Sequence, residues 1–560
     1  MLNSIKYSLP TDLELAVNAE IETWKTEDKV SRIWAKDASL WTSDDEAKWL
    51  GWLDIVAEEL CNADKYRDLH RDIESAGFTD VLLMGMGGSS LCPEVLAMTF
   101  GKANFHILDS TVPSQIKAVE DRLDLKKTMF IVASKSGSTL EPNCFKQYFF
   151  ERIAEKVGRE NAGKQFIAIT DPGSKMEQVA KDGGFRHIFY GKSEIGGRFS
   201  ALSAFGMTAA AAMGLDVEEF LRNASEMVVA CRMPDPVANP GALLGTILGL
   251  CHAHGRDKLT IFTSPEIHDL GAWLEQLIAE STGKKGVAII PIDRESTQPL
   301  ANYGSDRVFA FLSLKGNAGM DARFSEIAAA GHPSVRIELD SIENLGQEFF
   351  RWEFATAVAG SIMQINPFNQ PDVESAKIEA RKLTDEYEQT GKLPDEQPFF
   401  ESDGVSLFSS DEYAVELTAK GENTFEAILT SHLKRLGQGD YFCLLAYIEM
   451  NAENEITLEN FRESVLHRYK TATCLGFGPR FLHSTGQAYK GGGNNGVFLQ
   501  ITSDDEFDIA VPGQKYTFGV VKAAQARGDF QVLLDRGRRA LRVHLTANVQ
   551  EGLEKLASLI

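Results

Sequence analysis

The sequence predicts an α/β protein: two doubly wound parallel-sheet domains, a helical N-terminal arm before them and a smaller C-terminal α/β domain after them. Three observations carry this. Short runs that are apolar on both faces recur along the chain with helical segments between them, the pattern of buried parallel strands joined by crossover helices. At 560 residues the chain is too long for a single core. Two of the apolar runs end in small polar loops from which a helix departs, "GMGGSS" at 85–90 and "SKSGST" at 134–139.

The elements follow in order. Residues 1–75 read as the helical arm, rich in Trp and acidic side chains. The first domain, 76–235, has strands at 79–86, 103–109, 128–134, 164–170 and 185–191, then a helical passage over 200–232. "MPDPVANPG" at 233–241 breaks the rhythm. The second domain, 236–385, has strands at 258–264, 286–292, 307–314 and 334–340. Residues 386–404 are charged and contain prolines, as a linker does, and the third unit spans 405–560, where "YFCLLAYIEM", "GVFLQIT" and "ALRVHLT" alternate with helices.

Composition narrows the function classes. With 43% hydrophobic and 24% charged residues the chain reads as folded and soluble, without a disordered tail. The longest apolar stretch, 241–251, is too short for a membrane span, and the start of the chain lacks the basic and apolar regions of a signal peptide. Seven scattered cysteines without a CxxC pair argue against disulfides and zinc and point to a reducing, cytoplasmic setting. A formal charge of −23 disfavours nucleic acid, so an anionic ligand needs positive potential built locally.

The two loops supply such a place. After Met84, Gly85, Gly87 and Gly88 permit a tight turn, Ser89 or Ser90 is placed to cap the next helix, and Pro93 suits its first turn. Bare N–H groups at a helix N-terminus attract phosphate. The spacing is not the dinucleotide fingerprint, because Ser90 stands where a third glycine is required. Asp109, ending the second strand, sits where a ribose-binding acid would, which keeps a nucleotide-dependent oxidoreductase as an alternative. In the second loop Ser134, Ser136, Ser138 and Thr139 offer hydroxyls, Lys135 offers charge, and Ser138 to Glu141 has capping-box spacing. Loops after neighbouring parallel strands converge on one sheet edge. Gly88, Ser89, Ser134, Lys135, Ser136 and Thr139 are therefore the candidate anion-binding set.

"SEIGGRFSALSAFG" (193–206) and "GSIMQINPFNQPDVESAK" (360–377) resemble the two signatures of the glucose-6-phosphate isomerase family, and the two loops resemble its sugar-phosphate loops. The motifs stand in family order between about residues 75 and 380. "WAKDASLW" (34–41) and "GPRFLHSTGQAYKGG" (478–492) are similar to the isomerase half of fused transaldolase/isomerase proteins. The resemblance implies two sugar-isomerase (SIS) domains and reversible interconversion of glucose 6-phosphate and fructose 6-phosphate through a cis-enediol. It implies a homodimer and no metal or redox cofactor, and it raises a functional link to a separate transaldolase.

It also assigns roles. Glu280 closes the amphipathic run "EIHDLGAWLEQLIAES", whose apolar stripe is Ile267, Leu270, Leu274, Leu277 and Ile278, and "ESTGK" resembles the family's base motif. A carboxylate in the last turn of a helix feels the negative end of the dipole, which suits a proton acceptor. Gln276 lies one turn earlier and would orient substrate. Arg198 would stabilise enediolate charge, with Gly197 allowing close approach; Gln370 and Lys377 come from the second signature, Lys377 for O1 or the ring oxygen. Asp372 stands where the family usually has Gly or Ala. The family's ring-opening histidine, twenty to thirty residues past the base, has no counterpart in 295–315; His332, the next histidine, does not match the motif, and His268 and His483 read as structural. No histidine is assigned, which leaves ring opening to a group such as Lys377 or to solution. The competing reading is a non-catalytic sugar-phosphate-binding protein built from the same two domains.

Overall fold

The computed structural model describes the whole chain except residues 420, 422 and 547. The arm does not begin as a helix. Strand β1 (Ser4–Ser8) precedes helices Thr11–Thr26, Lys29–Trp34, Ile55–Cys61 and Asp64–Ser75. Only partly buried and five residues long, "SIKYS" carries too little apolar patterning to announce a strand; a distant partner supplies its ladder.

The first sheet contains β2 (Asp80–Met84), β3 (Phe105–Leu108), β4 (Thr128–Ala133), β5 (Phe166–Thr170) and β6 (His187–Tyr190), ordered β3-β2-β4-β5-β6. All its pairings are parallel. Because β2 and β4 are neighbours whose connections leave in opposite directions, the crevice between their following loops is the topological switch point where α/β sheets bind ligands. The helical passage expected over 200–232 divides into Ala204–Ala212 and Val217–Ala230, separated at Gly214 with φ +80.

The second sheet holds β7 (Lys258–Thr263), β8 (Ile290–Ile292), β9 (Arg307–Leu314) and β10 (Ser334–Leu339), in the order β1-β10-β9-β7-β8, with β1 the antiparallel edge. Strand β8 is shorter than the apolar run 286–292, because Lys284 and Val287 first close a tight bridge around Gly286. In the third unit β11 (Phe400–Ser402), β12 (Val405–Phe408), β13 (Tyr441–Tyr447), β14 (Ala472–Phe477), β15 (Gly496–Ser503) and β16 (Arg539–Leu545) run in the order β11-β12-β16-β15-β13-β14. Helix Pro371–Thr390 runs into the stretch read as linker, and β11 begins at Phe400, so the irregular connection is only 391–399.

One apolar core joins the arm to the first two sheets, with Trp24 and Trp52 wholly buried in it. Such side chains contribute roughly 1.5–3 kcal/mol each on burial, enough to hold a short-helix arm in place. Helix Pro240–Ala253, strongly apolar throughout, is buried against Leu345–Ile362; a Cβ at Gly245 would lie 2.4 Å from the Ala355 carbonyl oxygen. Among the described residues no helix is long and apolar enough to cross a membrane.

Candidate active site

The site is assembled where the first sheet's loops meet the second unit's helix ends. In the first loop Gly87 adopts φ +55, and a Cβ on Gly88 would lie 2.0 Å from the Gly197 carbonyl oxygen. Glycine at 88 is therefore required for the loop to press against the segment carrying Arg198. The serine caps expected here do not form. The Ser90 hydroxyl, fully buried, donates to Asp109 Oδ2 at 3.1 Å and lies 3.3 Å from the Gly87 carbonyl. Asp109 in turn pairs with Arg480 at 3.4 Å, which ties it into a buried ionic contact with the third unit instead of a ribose position.

The second loop also departs from its expected capping. The Ser136 and Ser138 hydroxyls lie 2.7 Å apart, and Thr139 precedes the helix without a side-chain cap. Glu141 does not close a capping box. Its Oε1 accepts from His483 Nε2 at 2.8 Å and from Gln525 Nε2 at 2.6 Å, both in the third unit. Burial alone would raise the Glu141 carboxyl pKa; the adjacent His483 outweighs it and brings the group below the usual carboxylate value. Lys135 pairs with Asp171 and donates to the Lys192 carbonyl at 2.7 Å, so its charge is partly spent within the wall.

Glu280 lies in the last turn of helix Leu270–Thr282, which buries Leu270, Trp273, Leu274, Leu277 and Ile278. The carboxylate is 7% exposed. Gln276 Nε2 donates to its Oε2 at 3.2 Å and to the His483 carbonyl at 2.7 Å. Arg198 Nη1 stands 3.5 Å from Oε1. The Arg198 guanidinium is fixed by Ser281 Oγ (2.7 Å), Gln370 Oε1 (2.9 Å) and the carbonyls of Pro367 (2.6 Å) and Asn369 (3.0 Å). Burial lowers its pKa, and Glu280 opposes that shift. Lys284, given no role from the sequence, donates to the carbonyls of Glu280 (3.0 Å) and Ser281 (2.7 Å) and so closes the end of helix Leu270–Thr282.

The start of helix Pro371–Thr390 explains the unusual Asp372. Gln487 of the third unit accepts from the Asp372 and Val373 amides at 3.0 and 3.1 Å and donates to Asp372 Oδ2 at 2.8 Å. A side chain from another unit thus replaces local capping. The glycine-rich stretch 484–496 that supplies it packs across the ends of both helices, with Gln487 also donating to the Gly283 carbonyl at 2.8 Å.

The two loops and the ends of the two helices meet at one cleft of about 480 Å³. The wall includes Gly88, Ser89, Ser134, Lys135, Ser136 and Thr139 from the two polar loops. Gly197, Arg198, Gln276, Glu280, Gln370 and Lys377 face them. Every residue assigned from the sequence is in that wall. Trp49 of the arm and His483 of the third unit line it too, and neither was assigned. His483 lay within a quoted similarity segment, but its partner Glu141 is 342 positions away, so no local pattern could mark it. Ser134 Oγ and Gln276 Oε1 are buried in the wall without a partner among the described residues, as polar atoms facing a ligand position are. Arg198, Lys377 and Lys135 build positive potential there within a strongly acidic chain.

Parallel α/β units thus clasp a polar cleft with hydroxyl loops on one side and a buried carboxylate beside a guanidinium on the other. Residues 54–300 match the family model of phosphoglucose isomerase. Among curated relatives, a glucose-6-phosphate isomerase of Methanocaldococcus jannaschii is 28% identical over 365 residues, 59% of this chain and 88% of that one. A glucose-6-phosphate isomerase of Gloeothece citriformis is 30% identical over 352 residues, 55% of this chain and 66% of that one. A hypothetical protein of Thermus thermophilus shares the fold with TM-score 0.59 at 23% identity, covering 67% of this chain and 99% of that chain.

Proposed function

We infer that this protein catalyses the reversible isomerisation of glucose 6-phosphate and fructose 6-phosphate by proton transfer through a cis-enediol. The observation that carries the reading is that Glu280 and Arg198, buried side by side, share a cleft with the hydroxyls of both polar loops. Ser89, Ser134, Ser136 and Thr139 hold the phosphate. Glu280 takes the proton from C2 and returns it to C1. Arg198, immobilised by its hydrogen bonds, faces the oxygens on which enediolate charge develops and needs no reorganisation during the step. Gln276 and Gln370 position the sugar.

Ring opening requires a proton to leave O1 and another to reach the ring oxygen. His483 suits this role: Nε2 is held by Glu141, leaving Nδ1 for the substrate. Lys377, in the same wall, supplies a second cation near that end. The third unit then completes the active site within one chain. A homodimer, cytoplasmic residence and a functional link to a separate transaldolase belong to the same reading.

The test is turnover of fructose 6-phosphate, followed by coupling glucose 6-phosphate formation to NADP reduction. Saturable turnover is expected; tight binding without turnover favours the non-catalytic sugar-phosphate protein and overturns this reading.

A further inference from the structure

The third unit contains a separate feature that isomerisation does not use. Along its sheet β13 is flanked by β14 on one side and by β15 and then β16 on the other, so chain order reverses at β13. The carboxyl ends of such strands are where open α/β sheets bind ligands. There a cavity of about 140 Å³ is lined by Tyr447, Thr502, Lys522, Arg527, Arg542 and His544 among others, none of them part of the isomerase cleft.

Its cations are built in. The Arg542 side chain is 3% exposed, and its guanidinium lies over the rings of Phe408 (4.1 Å) and Phe530 (5.3 Å). Among the described residues its Nε has no partner, and the fully buried Tyr447 lies beside it in the wall. Lys522, 4% exposed, pairs with Asp505 at 2.6 Å, and His544 pairs with Asp504 at 3.2 Å. The anion that meets the two arginines comes from the irregular connection between units. Glu396 reaches in, with Oε1 2.8 Å from Arg542 Nη2 and Oε2 2.7 Å from Arg527 Nε. The Pro394 carbonyl, accepting from Arg527 at 2.7 Å, steadies the same strap. The Glu396 side chain is itself 32% exposed, so it covers the cations without being locked beneath them.

We propose that this cavity is a second anion site, for a compact phosphate group, and that Glu396 is its resident stand-in, displaced when the ligand binds. Arg542 and Arg527 present guanidinium donors suited to phosphate oxygens, and the cavity admits one phosphate with a short substituent at most.

Equilibrium dialysis with labelled inorganic phosphate tests it. Glu396→Gln is expected to bind a second equivalent per chain with at least about 10-fold higher affinity than the parent, since the competing carboxylate is gone. Adding Arg527→Gln to Glu396→Gln should remove that equivalent; Arg527 is 28% exposed, so the change is tolerated where one at Arg542 risks misfolding. Displacement of the second equivalent by glycerol 3-phosphate below the phosphate concentration identifies an ester as ligand, and failure to displace identifies free phosphate. A single equivalent in Glu396→Gln, or a second one indifferent to Arg527→Gln, overturns the proposal. The result is separable from the isomerase reading, because loss of the cleft's own equivalent leaves the second unaffected.

Discussion

Replacing Glu280 with Gln probes the proton transfer most directly. The amide has the carboxylate's shape and can keep the contact with Gln276, which lies 3.2 Å from Oε2, but it cannot accept the C2 proton. General bases contribute about 10²–10⁴-fold, so kcat should fall at least ~10²-fold, about 2.7 kcal/mol of barrier. The stability cost is worked separately. At 3.5 Å and an effective dielectric near 20, the attraction to Arg198 is about 5 kcal/mol before desolvation is subtracted. Removing one partner of a buried pair costs about 3–5 kcal/mol when the other charge is left bare. Arg198 is not left bare: Ser281, Gln370, Pro367 and Asn369 still accept from it. The loss should fall below that range, the fold should persist, and KM should move far less than kcat because the proposed phosphate grip lies in the two polar loops. Steady-state turnover and exchange of the C2 proton of glucose 6-phosphate with solvent deuterium, read by NMR, give the result. A kcat within tenfold of the parent, or undiminished C2 exchange, refutes Glu280 as the base.

His483→Gln should lower turnover of ring-closed substrate by on the order of 10²-fold while sparing an open-chain analogue; equal losses on both would remove it from ring opening. Gly88→Ala forces apart the loops at 88 and 197, whose backbone atoms leave only 2.0 Å for the new carbon. A cost of about 1–3 kcal/mol is expected, lowering Tm by roughly 2–4 °C per kcal/mol, together with a raised KM; an unchanged melting curve contradicts the packing. His432 is buried and held neutral, its pKa lowered by burial to about 3. The unfolded chain therefore binds the extra proton, so its contribution is intact above pH 6.5 and is lost progressively as pH falls toward 3. At pH 5 this amounts to about 2 kcal/mol, and denaturant titrations at pH 5 and 7.5 should show a gap that His432→Gln narrows.

The strand–helix rhythm was legible because both faces of a parallel strand are buried, which writes short unbroken apolar runs such as 128–134. Helix Leu270–Thr282 was legible because its apolar stripe repeats at helical spacing up to Glu280. β1 escaped because its register is set by β10, more than three hundred residues later. The capping of helix 371–390 escaped for the same reason: the local sequence offers Asp372, but Gln487 does the bonding. Glu141 had the spacing of a capping box, and the pull of an imidazole and an amide from the third unit overrode it.

By itself, then, the sequence determined which segments become strands and helices and where the loops rich in glycine and hydroxyls fall, since periodicity and turn chemistry act over a few neighbouring residues. Only the tertiary structure decided that His483 and Trp49 join the cleft, that Arg198 is clamped beside Glu280, and that Glu396 covers the third unit's arginines. Those contacts pair charges and donors far apart along the chain, and their strength comes from a shared burial that no local stretch can encode.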